Sequence, residues 1–168
     1  MRLITKATIL VAALALAACT DPGRFGNGDG SGANGGAGAA GSASDPTSTA
    51  YFQQSVGDRV LFAVDQFNIS PEYISVLDGQ ATWLTTNSDY IATIEGHADE
   101  QGTSAYNLAL SARRANAVRE YLISRGVSGN RLQVVSYGKE RPIEVCSDEA
   151  CYTKNRRAVT VLSSALTG

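Results

Sequence analysis

Residues 96–115 read GHADEQGTSAYNLALSARRA. The preceding stretch, Tyr90 to Glu95, alternates as a strand with Ile91 and Ile94 as its apolar candidates, and Gly96 ends it. Gly96 and Gly102 bracket a loop that can turn sharply and expose backbone N–H groups. A helix then begins near Thr103 or Ser104 and runs to Ser124, with Leu108, Ala115, Val118 and Leu122 as its core stripe. Gly126 suits the left-handed position after its end, and Val127 is the hydrophobic residue that often follows.

Working outward, Arg59 to Val64 reads as a short apolar strand. Ser70, Pro71 and Glu72 form a helix start, as N-cap, N1 and first-turn acid. Ile74, Leu77, Ala81 and Leu84 recur at helical spacing beyond it, flanked by Val76 and Trp83, and the pattern fades at Asn87-Ser88. On the other side, Leu132 to Tyr137 is a third strand ended by Gly138. A long loop holding Pro142, Cys146 and Cys151 follows, with Ser147-Asp148-Glu149 opening a short helix, and Arg157 to Leu162 is the last strand. The order is β-α-β-α-β-(short α)-β, an α+β chain with a mixed four-stranded sheet. The two long helices serve as right-handed crossovers. They pack on one face, because two helices cannot cover both. The last strand, reached without a long crossover, pairs antiparallel to a neighbour.

Residues 1–18 carry a basic start (Arg2, Lys6) and an apolar run too short for a comfortable bilayer span, and read as a secretory signal peptide. Residues 19–50 are, after Cys19, almost all Gly, Ala, Ser, Asn, Asp, Thr and Pro, with Arg24 the one basic residue and Phe25 the one large apolar residue; such a segment cannot offset its ordering entropy and reads as a flexible tether. A Gly-rich chain of that length spans about 30 Å on average and about 100 Å at full stretch. Residues 51–168 are left as one domain of ordinary size. Removing Arg2 and Lys6 from the 14 basic residues leaves 12 against 16 acidic ones, with no basic stripe, so nucleic acid is not a partner.

At 100° per residue, Asn107 and Arg114 lie about 20° apart on their helix and Val118 lies within about 40° of both, so Arg114 sits at the edge of the apolar stripe while Arg113 points to water. A guanidinium at a core edge needs a partner. Asp99 can be that partner, or can share a ligand with it. The loop also feeds a helix N-terminus, which favours an anion. Asp99 for an ammonium and Arg114 for a carboxylate would together receive a zwitterion. Spacing alone leaves an Asp99–Arg114 salt bridge and a ligand receptor equally open.

The stretch GHADEQGTSAYNLALSARRANAV resembles the peptidoglycan-binding motif of the OmpA-like family. Val60–Asp65 is similar to the family's first strand, and Ser136–Pro142 and Lys154–Val159 are similar to its later segments. Leu16-Ala17-Ala18-Cys19 resembles a bacterial lipobox, implying cleavage before Cys19 and acylation of that cysteine, each buried CH₂ adding about 0.8 kcal/mol of anchoring. With the tether, the whole chain is similar to the lipoproteins of that family in the Tol-Pal system of envelope integrity and cell division. The resemblance implies an outer-membrane, lipid-anchored protein whose periplasmic domain binds peptidoglycan at the meso-diaminopimelate of the stem peptide. Asp99 would take the amine, Arg114 the carboxylate, and Asn107 would shape the loop. Asp65 would offer backbone contacts, with Thr103 and Leu110 as pocket edges. It implies TolB as a competing partner, no cofactor and no enzymatic activity. Val64, where an aromatic is common, and Ser111, where glycine is frequent, depart from the pattern.

Cys146 and Cys151 read as a disulfide in an oxidising compartment, worth about 2 kcal/mol by chain entropy, ahead of free thiols or a metal site, since His97 is the only histidine. A peptidoglycan hydrolase using His97 with Ser104 or Ser111 is the alternative from another class, but no nucleophile elbow or zinc-protease spacing is present. A domain that binds only protein is a third reading. Lys154-Asn155-Arg156-Arg157 reads as a solvated strand start.

Overall fold

The computed structural model describes residues 41–164. The leader, Cys19 and most of the tether lie outside them. Four strands, β1 (Arg59–Leu61), β2 (Tyr90–Gly96), β3 (Leu132–Ser136) and β4 (Arg157–Ser164), form one mixed sheet in the order β1-β4-β2-β3. β2 and β3 are parallel, Ala92 opposite Leu132 and Gly96 opposite Ser136. β4 runs antiparallel to both β1 and β2.

α2 (Ile74–Thr86) connects β1 to β2, and α3 (Ser104–Ser124) connects β2 to β3. Leu77, Ala81 and Leu84 of α2 and Ala115, Val118 and Leu122 of α3 share one core with the sheet residues Val60, Ala92, Ile94, Leu132 and Ala158. Each large aliphatic side chain buried there contributes about 1.5–3 kcal/mol. α3 closes as expected: Val127 N–H donates to Leu122 O at 3.1 Å and Gly126 N–H to Ile123 O at 2.9 Å, with φ +96° at Gly126, which is the Schellman pattern.

Several expectations are corrected. β1 stops at Leu61 rather than Val64, because residues 63–66 turn, with Gln66 N–H donating to Ala63 O. Leu108 is 52% exposed and Ser111 is buried in its stead. Ser111 packs against Gly96: a Cβ there would lie 1.9 Å from Ser111 O, so strand end and helix backbone are in near contact and admit only a small residue. Ile91 faces the outer side of β2, and Ala92 takes the inward place beside Ile94. Ile74 is exposed, and the buried face of α2 includes the polar Gln80, which donates to Gly57 O and accepts from Thr160 Oγ1, each at 2.8 Å.

The C-terminal part of the expected tether also belongs to the folded domain. Ser48 is buried and caps α1 (Thr49–Tyr51), which continues into a π-helical turn over Phe52–Gly57. Trp83 Nε1 donates to Pro46 O at 2.7 Å, and Tyr90 Oη to Thr47 O at 3.1 Å. The bonds use backbone carbonyls, which leave no trace in composition.

Candidate functional site

The turn after β2, the start of α3 and the loop after β1 meet around a cavity of about 460 Å³. All six expected ligand residues line it: Asp65, Asp99, Thr103, Asn107, Leu110 and Arg114. Thr103 is the N-cap of α3, its Oγ1 accepting from Tyr106 N–H at 3.2 Å, and Gly102 before it adopts φ +88°. Asn107 Nδ2 donates to Gln101 O at 2.7 Å and holds the loop in shape. Lys139 Nζ ties the same loop from the far side, donating to Gly102 O at 2.9 Å. Asp65 is the one non-glycine with positive φ among the described residues, at +56°, and its Oδ1 accepts from Tyr106 Oη at 3.2 Å.

Arg114 is 0% exposed and forms the floor. Its Nε donates to Gln66 O at 2.8 Å, Nη1 to His97 O at 3.0 Å and Nη2 to Ala63 O at 3.2 Å. Three of its five N–H bonds thus have acceptors, all of them neutral carbonyls. Burial pulls its pKa down to about 10, against the opposing pull of Asp99, so it stays charged at neutral pH.

Asp99 does not pair with Arg114. Its Oδ2 accepts from Arg156 Nη1 at 3.1 Å and its Oδ1 from Gln101 N–H at 3.1 Å. The reading of residues 154–157 as solvated is therefore corrected: Asn155, Arg156 and Arg157 are all buried. Arg156 spends every N–H, on Phe62 O, Asp99, Thr153 Oγ1 and both oxygens of Glu149. Nothing local distinguishes Arg156 from Lys154, because its acceptors Phe62 and Asp99 are remote in sequence. Arg113 is exposed, as expected.

The residues of the hydrolase alternative do not assemble. Ser111 Oγ is bonded to Asn107 O at 2.7 Å and to Ser136 Oγ at 2.5 Å, while the buried ring nitrogens of His97 have no hydrogen-bond partner. His97 instead stacks on Tyr137, ring centres 5.4 Å apart. Cys146 and Cys151 form a disulfide, so with Asp148 they offer no thiolate pair to a metal.

Residues 61–156 match the family model described as the OmpA family. The chain belongs to the OmpA family. A peptidoglycan-associated lipoprotein of Rhizobium meliloti is 52% identical over 159 residues, covering 93% of this chain and 86% of the relative. The crystal structure of the peptidoglycan-associated lipoprotein from Burkholderia pseudomallei superposes with a TM-score of 0.66 at 36% identity, over 71% of this chain and all (100%) of that one. The C-terminal domain of Helicobacter pylori MotB superposes at 0.60 over 64% of this chain and 84% of that one; at 24% identity it shows a shared fold. Within the OmpA family, this chain is one of the peptidoglycan-associated lipoproteins.

Proposed function

We propose that this protein binds peptidoglycan non-covalently through the diaminopimelate of the stem peptide, as a binding module rather than an enzyme. One observation carries the reading: a cavity whose wall holds the carboxylate of Asp99 and whose floor is a charged guanidinium with no carboxylate bonded to it. A ligand bearing an amine beside a carboxylate matches both charges. The incoming carboxylate takes the two N–H bonds of Arg114 that no carbonyl accepts, one on Nη1 and one on Nη2. Acyl chains on Cys19 hold the protein to the outer membrane, so that the pair links membrane and wall.

Sedimentation of the full chain with purified peptidoglycan tests this. Asp99→Asn and Arg114→Lys each weaken binding at least about 30-fold, equivalent to about 2 kcal/mol, while circular dichroism stays that of the wild type. Arg113→Ala binds normally. If the folded Asp99 and Arg114 variants still sediment, the pocket is wrongly assigned.

The family resemblance extends the proposal to the Tol-Pal system, with TolB competing for this pocket. The exposed Val64, Phe67, Tyr106 and Leu108 favour a protein partner at the same place, since Val64 and Tyr106 line the cavity. A stem peptide that displaces TolB from the full chain supports a shared site. Simultaneous binding separates the two.

A further inference from the structure

The ligand loop is gripped from outside the pocket by α4 (Glu149–Asn155) and the turn before it. Glu149 is bonded to Arg156 Nη2 and Nη1, and Arg156 in turn to Asp99 Oδ2. One residue further along the loop, Glu100 Oε1 accepts from Tyr152 Oη at 2.9 Å. Arg156 holds the Glu149 carboxyl below its ordinary range, and the hydroxyls of Ser147 and Tyr152 do the same for Glu100. Ser147 and Glu149 lie inside the ring closed by the Cys146–Cys151 disulfide, and Tyr152 follows it directly. Asp148, also in the ring, caps α4 by accepting from Cys151 N–H at 3.1 Å.

Arg156 lies between two carboxylates, and Glu149 fixes where its guanidinium points. Without Glu149, only Thr153 Oγ1 and Phe62 O still hold the guanidinium against rotation toward Asp99, and the carboxylate turns with it. Without the disulfide, residues 146–151 regain chain entropy and α4 loosens at its first turn. In both cases the disturbed atom is Asp99 Oδ2, in the wall of the cavity.

We propose that the Cys146–Cys151 ring is a positioning device for the ligand pocket, holding Glu149 and Tyr152 so that Arg156 and Glu100 orient Asp99, and that reductive opening of the ring weakens ligand binding. This rests on the reading of the pocket as a diaminopimelate site. Opening is a two-electron reduction: a dithiol delivers two electrons and two protons, the S–S bond becomes two thiols, and the dithiol closes to its own disulfide.

The test is calorimetry of the full chain in mild detergent, with a stem peptide ending in diaminopimelate as probe. The oxidised wild type binds. Glu149→Gln, on a side chain 64% exposed, and Tyr152→Phe, which deletes one hydroxyl, each weaken binding roughly fivefold with little change in Tm. The paired change Cys146→Ser with Cys151→Ser weakens it similarly. Dithiothreitol brings the wild type to the level of that paired variant and leaves the variant unchanged. The ¹³C carboxyl resonance of Asp99 moves in Glu149→Gln, which a purely structural role of Glu149 would not produce. Should the paired cysteine variant fail to fold, Glu149→Gln and Tyr152→Phe decide the matter with the disulfide intact. Wild-type affinity in the variants and in the reduced protein overturns the positioning role and leaves the pocket standing, as does a fall in Tm without a change in affinity. No binding by the oxidised wild type overturns the pocket and the positioning role together.

Discussion

At Tyr90, where β2 begins, Arg131 donates from Nε to Tyr90 O, from Nη1 to Leu84 O and from Nη2 to Asn87 O, each at 2.9 Å. At the other end of the strand, Arg114 also gives its hydrogen bonds to three carbonyls. Arg131 fastens the end of α2 to the start of β2, and its half-buried charge is screened by water. Arg114 is wholly buried and faces a cavity that also holds Asp65 and Asp99. The same bonding pattern thus closes one end of the sheet and charges the other. A carbonyl satisfies an N–H without neutralising a guanidinium, so Arg114 keeps its charge beside the cavity, which is what the proposed role as an anion receptor requires.

The largest expected effect breaks the site end alone. Gly96→Ala places a Cβ 1.9 Å from Ser111 O and 2.7 Å from Ser111 C, both backbone atoms that cannot turn aside. It should cost more than about 4 kcal/mol, read as the fall in urea midpoint. At the other end, Gly79→Ala meets the tip of Val56, Cγ1, at 3.3 Å. There a helix gains about 1 kcal/mol of propensity against slight crowding, and the midpoint should move little. Equal effects at the two glycines would show that the strand–helix approach at Gly96 is not the tight contact it is taken to be.

The site was largely legible in the sequence because its parts are local. Asp99, Thr103, Asn107, Leu110 and Arg114 fall on one loop and one helix, and the bounds of α3 follow from Thr103 and Gly126. Arg156 was missed because its burial depends on Phe62 and Asp99, contacts that only the folded sheet creates. Leu108 was misplaced because helical spacing does not show where the supporting sheet stops. The docked residues 42–50 were missed because small polar residues offer their carbonyls without any side-chain pattern.

A smaller effect sharpens the contrast between a satisfied and an unsatisfied buried group at the site end. His97 has a pKa pushed down to about 4, first by burial and then by the charges of Arg157 and Arg141, although Glu95 Oε2 lies 3.7 Å from its Nε2. Between that value and the ordinary 6.5, the unfolded chain takes up a proton that the folded chain does not. Stability is therefore complete above pH 6.5 and falls as the pH drops toward 4, by at most about 3 kcal/mol. The carboxyls of Glu100 and Glu149, lowered from 4.5, act only at and below the foot of that window, outside the range from pH 6.5 to 5. His97→Gln should flatten the loss between pH 6.5 and 5 in urea titrations. An unchanged slope would assign it to other groups.

The smallest effect belongs to the tether end. Ser48 Oγ accepts from Tyr51 N–H at 3.0 Å and lies 2.8 Å from both Ser42 O and Asp45 O, so one hydroxyl caps α1 and pins the chain before it. Ser48→Ala should cost about 1 kcal/mol, the ordinary price of an N-cap. Release of residues 42–47 frees Pro46 O from Trp83 Nε1, so tryptophan emission should shift to the red and Tyr51 N–H should exchange faster. The released residues 42–47 span about 20 Å at full stretch. Binding at the cavity should not change, because none of its lining residues touches this segment. A change in affinity would mean that the two ends of β2 are coupled, and that the domain senses where its tether is held.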